Sequence, residues 1–242
     1  MNPTVFDTPV IRTLLHWMSV FLLKCHGWKL AGSAPPHKKY VIIAAPHTSN
    51  WDFYFTMLVA FALKINIYWM GKNTLFRWPM GYFFRWLGGI AIDRSKASNV
   101  VGESVSAFQR SDRLIMVVPP EGTRSKTRYW KTGFYYIAHG AGIPIALGFM
   151  DFRLKMGGIG PLLKPSGDIE GDMVLIKQFY ANVTGKHPDK TADVAIITEK
   201  FKSVDIKPLF DAETGCLQSS GDVEKDRIML QSCYAIMTGQ LG

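Results

Sequence analysis

The stretch "YVIIAAPHTSNWDFYFTMLVAFAL", residues 40–63, reads as one strand, one loop and one helix in immediate succession. Its opening run is short, β-branched and apolar at both parities, as in a strand buried on both faces. Pro46 closes that run, and Ser49 or Asn50 stands where a helix N-cap belongs, ahead of "WDFYFTMLVAFAL". His47 therefore falls on the loop and Asp52 in the first helical turn. Five positions apart, the two would diverge by about 140° on a regular helix; the loop is what lets the imidazole fold back over the helix start.

Outward from this unit the alternation repeats. "INIYWMG" (65–71) reads as a strand, "TLFRWPMGYFFRWLG" (74–88) as a helix, "IAIDR" (90–94) as a strand and "NVVGESVSAFQR" (99–110) as an amphipathic helix. "RLIMVVPPEGTRS" (113–125) is a strand running into a Pro-Gly loop, "KTGFYYIAHGAG" (131–142) a helix, and "IPIALGFMDF" (143–152) a strand. Strands and helices in alternation predict an α/β fold with a largely parallel central sheet flanked by helices. A helix is expected in "DMVLIKQFYANV" (172–183). Beyond it, residues 185–242 read as a loosely ordered tail with a short helix near "RIMLQSCYAIM".

Composition narrows the class of partner. Of 242 residues, 48% are hydrophobic and 13% aromatic, and the formal net charge is +9. The charge is uneven: residues 1–168 hold 20 Lys and Arg against 8 Asp and Glu, and residues 169–242 hold 8 against 11. A basic, apolar body suits an anionic membrane surface and phosphate headgroups. Nucleic acid is not expected, because the aromatic residues lie in strongly apolar segments and not interleaved in a basic strand. Cys25, Cys216 and Cys233 share no ligand spacing and are odd in number, which points to a reducing compartment and to no metal site.

Three segments bear on membrane contact. "VIRTLLHWMSVFLLKCHGWKL" (10–30) has helical periodicity, but Arg12, His16 and Lys24 leave no charge-free run of about 18 residues. It reads as an amphipathic helix lying on the membrane, without the cleavage signal of a secretory leader. "FYFTMLVAFALKINIYWM" (53–70) is interrupted by Lys64 and Asn66, and "LFRWPMGYFFRWLGGIAI" (75–92) mixes aromatic residues with Arg77 and Arg85, as at a headgroup boundary. Shallow, peripheral attachment is expected at the cytoplasmic face.

In an open parallel sheet, ligand sites form beyond the carboxyl ends of the strands. The strands before His47, before Arg94 and before "EGTR" would bring an imidazole, two arginines and a glutamate to one edge. Such a set suits acyl transfer to a hydroxyl: the neutral imidazole takes the alcohol proton and Asp52 orients it. No Ser or Cys sits in a strand-to-helix elbow beside the histidine, which favours direct transfer over an acyl-enzyme. Arg94 and Arg124 fit bidentate contact with a phosphate monoester, and Arg94 also has a second reading as an ion-pair partner of Asp93 or Asp112.

The chain resembles the glycerolipid acyltransferases, in particular the lysophosphatidic acid acyltransferases, through four blocks in order: "HTSNWD" (47–52), "GGIAIDR" (88–94), "PEGTRS" (120–125) and "GIPIALG" (142–148). The resemblance implies that His47 is the general base and Asp52 its partner. It also implies that Glu121, Gly122, Thr123 and Arg124 form an acceptor-phosphate loop, with Arg94 nearby and Lys72 ahead of the second block. Ala91 stands where the family usually has phenylalanine, which bears on the acceptor's identity.

The implied reaction moves a fatty acyl group from acyl-CoA or acyl-carrier protein to a lysophospholipid, 1-acylglycerol 3-phosphate first, with no cofactor. Two alternatives stay open: the same chemistry on another lysolipid, such as a lyso-ornithine lipid, and a non-catalytic lipid-binding protein on the same scaffold. The implied organisation is an N-terminal membrane-associated helix in 1–38, an acyltransferase domain in 39–184 and the tail in 185–242.

Overall fold

Side chains of the strand β2 (Lys39–Ala45) divide by parity: Val41, Ile43 and Ala45 enter one buried cluster, Tyr40 and Ile42 another. A strand buried on both faces needs a layer on each. The computed structural model, which describes residues 3–92, 97–192, 194, 206–211 and 216–221, supplies both. In chain order, β2 is preceded by α1 (Pro9–Cys25) and β1 (Lys29–Ala31) and followed by α2 (Trp51–Ala62), β3 (Tyr68–Lys72), α3 (Met80–Trp86) and β4 (Gly89–Ile92). Then come α4 (Ala97–Arg110), β5 (Leu114–Val118), α5 (Gly133–Ala141), β6 (Ile145–Asp151), β7 (Met156–Leu163), α6 (Ile169–Tyr180), β8 (Ile206–Asp211) and β9 (Cys216–Gly221).

The sheet runs β4-β3-β5-β2-β6-β7-β9-β8, with β1 paired to β7. All pairings are parallel except β6 with β7 and β8 with β9. The predicted largely parallel α/β sheet is what forms. Register keeps the parity of β2 across its neighbours: Ile42 pairs with Val117 and Ala146, and these three share one face. Helices α4, α5 and α6 cover the other face through Phe108, Phe134 and Ile176, while α2 covers the face of Ile42 through Met57, Ala60 and Phe61. The opposite side of α2 meets α1 through Leu58, Val59 and Leu23. With apolar residues facing two ways, α2 is buried continuously from Met57 to Ala62, and each fully buried large side chain contributes about 1.5–3 kcal/mol.

Several local expectations change. Helix α1 stops at Cys25, not near residue 30, and Lys29–Ala31 joins the sheet instead. The predicted helix over 74–88 breaks: Asn73–Phe76 is a 3-10 turn and α3 begins only after Pro79, whose ring nitrogen cannot continue the preceding turn. Strand β7 was not expected, and β8 and β9 lie within the segment read as a loosely ordered tail. The helix expected near 227–237 lies outside the described residues. Among the described residues no helix is long and apolar enough to cross a membrane.

Candidate active site

β2 ends at Ala45, and two residues later the imidazole of His47 turns back toward the start of α2. Its Nδ1 lies 3.2 Å from Asp52 Oδ2. The same Oδ2 accepts the backbone N–H groups of Thr48 and Ser49, both at 2.7 Å, and Oδ1 accepts the Ser49 hydroxyl at 3.0 Å. Asp52 thus ties down the loop that precedes the helix, while the Ser49 hydroxyl accepts the N–H of Trp51, the first residue of α2, and Asn50 at the N-cap position makes no side-chain capping bond. Its side chain is 5% exposed and that of His47 24%. A buried carboxylate is tolerable here because three donors and the helix N-terminus surround it. With Nδ1–H directed at Asp52, Nε2 is left to accept a proton.

The second strand end is that of β5. The turn after it closes with the Gly122 N–H on the Pro119 carbonyl, and Gly122 has φ +64°, left-handed backbone that glycine tolerates. A Cβ there would also come within 3.0 Å of Lys131 Nζ. Glu121 points inward: it is 4% exposed, and its Oε1 accepts the backbone N–H of His47 at 3.1 Å. Its Oε2 is buried with no hydrogen-bond partner among the described residues. Burial raises the Glu121 carboxyl to about 7, against the opposing effect of the His47 N–H.

His47 and Asp52 border a cavity of about 710 Å³ that also takes in Lys72 at the end of β3 and Gly122, Thr123 and Arg124 of the β5 loop. The cations lie at the exposed rim. Inward, the walls turn apolar: Met57 and Ala60 of α2, Ile42 and Val117 of the sheet, then Met150 and Ile159. Of the residues singled out in the sequence, the structure therefore gathers His47, Asp52, Lys72, Gly122, Thr123 and Arg124 around one space. Glu121 is not among the lining residues; it stands behind the loop, against the His47 backbone. Arg94 lies outside the described residues. Among the described residues no group of His, Cys, Asp and Glu could hold a metal ion.

Residues 29–146 match the family model described as acyltransferase. The matched segment takes in just under half of the chain and includes His47, Asp52 and the β5 loop. No curated protein matches the chain. Among solved structures, the 1-acyl-sn-glycerophosphate (LPA) acyltransferase PlsC from Thermotoga maritima is similar at 15% identity, over 66% of this chain and 71% of that one, with a TM-score of 0.47. A likeness at that level says nothing about substrate.

Two features of the site escape a reading of the sequence. The Glu121 contact to His47 spans 74 positions and involves a backbone donor, which no motif marks. The deep wall drawn from β6 and β7, including Gly148, Met150, Gly158 and Ile159, lies beyond the matched segment. Its sequence signal was the glycine-rich run "MGGIG" (156–160), because glycines within a strand often mark a close approach or a space left for another group.

Proposed function

We propose that the protein transfers a fatty acyl group from a thioester donor, acyl-CoA or acyl-carrier protein, to the free hydroxyl of a lysophospholipid at a membrane surface, with 1-acylglycerol 3-phosphate as the first candidate acceptor. The observation that carries this reading is the His47–Asp52 pair at the mouth of a cavity with a cationic rim and an apolar interior. The rim suits a phosphate, through Arg124 as a planar bidentate donor and Lys72 as a point charge. The interior suits an acyl chain.

In the proposed step, Nε2 of His47 takes the acceptor's hydroxyl proton while the oxygen attacks the thioester carbonyl. Asp52 stabilises the imidazolium that forms and keeps Nδ1–H turned toward itself. The tetrahedral intermediate collapses with cleavage of the C–S bond, and the imidazolium returns the proton to the departing sulfur. An ester and a free thiol result, and no electron pair or proton is left over.

The test is thiol release from palmitoyl-CoA by purified protein, with and without 1-acylglycerol 3-phosphate, beside His47→Ala, and repeated with acyl-carrier protein and a lysolipid panel. Release should depend on acceptor and fall roughly 10²–10⁴-fold in the folded variant. An unchanged rate in His47→Ala would sink the mechanism. Liposome binding with no transfer to any acceptor would favour a lipid-binding scaffold.

A further inference from the structure

The large apolar side chains left exposed are concentrated on one side of the molecule. The link between the 3-10 turn and α3 carries Trp78 at 84% exposure, and α3 carries Tyr82 at 75%, with Met80 and Phe83 also exposed. Helix α1 exposes Val10, Leu14, Trp17 and Phe21, positions that recur on one helical face. The inner sides of both helices rest on one cluster, Ile11 and Leu15 from α1 and Phe84 and Leu87 from α3 and its end. Both patches therefore ride on the same face of the sheet, the face that contains the cavity.

The α3 patch has a rigid base. Phe76 is buried against Trp69, and Phe84 meets both at their edges. Arg85 donates to the Phe76 carbonyl at 3.2 Å while its guanidinium lies 5.4 Å from the Phe76 ring centre. The patch also adjoins the site: Thr74, Leu75 and Phe84 line the cavity, and Leu75 is itself exposed. Exposed Trp and Tyr interspersed with Arg77 and Arg85 match the zone of a bilayer where rings lie at headgroup depth and cations meet phosphates. A protein docked here would cover the rim that a lipid has to cross; a leaflet would supply that lipid.

We infer that residues 73–86 insert their aromatic side into a phospholipid leaflet beside the cavity mouth, as a second attachment point separate from α1, so that the lipid acceptor passes laterally from the leaflet into the cavity. The lateral passage rests on the proposed acyltransferase reaction; the insertion itself does not.

The triple variant Trp78→Ser, Tyr82→Ser, Phe83→Ser changes exposed side chains that do not line the cavity. Three quantities are measured: co-flotation with mixed phosphatidylcholine and phosphatidylglycerol vesicles, turnover of a lysolipid embedded in those vesicles, and turnover of a short-chain lysolipid kept monomeric in water. The inference expects flotation and vesicle turnover to fall about tenfold or more, with turnover of the monomeric acceptor and the melting temperature unchanged. Flotation equal to the parent protein's would overturn it. So would a dimer in light scattering that the triple variant dissociates, which would assign the face to a second copy. Absence of turnover on both acceptors in the parent protein would defeat the proposed reaction, while flotation would still decide the insertion.

Discussion

The buried carboxylate of Glu121 accepts the backbone N–H of His47, so the end of β5 holds the loop that leaves β2. Glu121, which the resemblance places in an acceptor-phosphate loop, braces the main chain of His47 from behind that loop. A carboxylate at the rim would repel a phosphate, and this one is withdrawn from it.

Glu121 makes stability depend on pH. Its folded value near 7 lies above the ordinary 4.5, so the folded state binds the proton more tightly. Stability from this group is present below about 4.5 and is lost as pH rises through about 7, by an amount on the order of 3 kcal/mol. Glu121→Gln keeps an oxygen for the His47 N–H and does not titrate. Thermal melts from pH 5 to pH 8 should show parent and variant together at the acid end, with the parent falling several degrees below the variant at the alkaline end. Parallel curves would refute the assignment.

Asp52 serves the loop and the imidazole with one oxygen, and two substitutions separate these tasks. Asp52→Asn retains an acceptor for Thr48 and Ser49 but removes the charge facing Nδ1. It should lower kcat by roughly 10²–10⁴-fold with little change in KM and a modest loss of melting temperature. Asp52→Ala strands two buried N–H groups and should destabilise by about 2–4 kcal/mol. Initial rates alongside denaturant titrations measure both.

Arg124→Ala and Lys72→Ala test the cationic rim. With a phosphate-monoester acceptor, each should raise KM roughly ten- to a hundred-fold, the range of one charge-assisted hydrogen bond, and leave kcat near the parent value. A lyso-ornithine lipid, which has no such phosphate, should be affected far less. Equal sensitivity to both acceptors would argue that the rim holds the donor instead.

Ala60 faces the apolar part of the cavity from α2. Ala60→Phe fills that space and should shift donor preference toward shorter acyl chains, by about fourfold in kcat/KM per methylene displaced. Competition between two acyl-CoA lengths in one reaction reads the shift directly.

How far the sequence announces all this depends on the range of each interaction. The β2–loop–α2 unit was legible because its parts are local: a β-branched run, Pro46, and an apolar helix starting at Trp51. The strand ends before His47 and Glu121 followed from alternation, since neighbouring parallel strands finish at one edge, whereas Lys72 entered only through the resemblance and Arg94 lies outside the described residues. Strand β7 was not legible, because Gly157, Gly158, Gly160 and Pro161 are residue types that strand interiors disfavour. The reason for Gly158 lies elsewhere in the chain: a Cβ there would stand 1.8 Å from the carbonyl oxygen of Ala31 on β1. Nor could the pattern show that β6 and β7 run antiparallel, since that depends on the tight connection capped by Asp151, whose Oδ1 accepts the N–H groups of Arg153 and Leu154.

The division of labour along the chain has a consequence for substitution. The segment that matches the acyltransferase family ends at residue 146, within β6, and already includes His47, Asp52 and the β5 loop. Part of the apolar wall of the cavity, Gly148, Phe149, Met150, Gly158 and Ile159, comes from beyond it. A substitution in that stretch can reshape this part of the cavity while His47 and Asp52 stay where they are, so the space can change what it holds without a change at the paired histidine and aspartate.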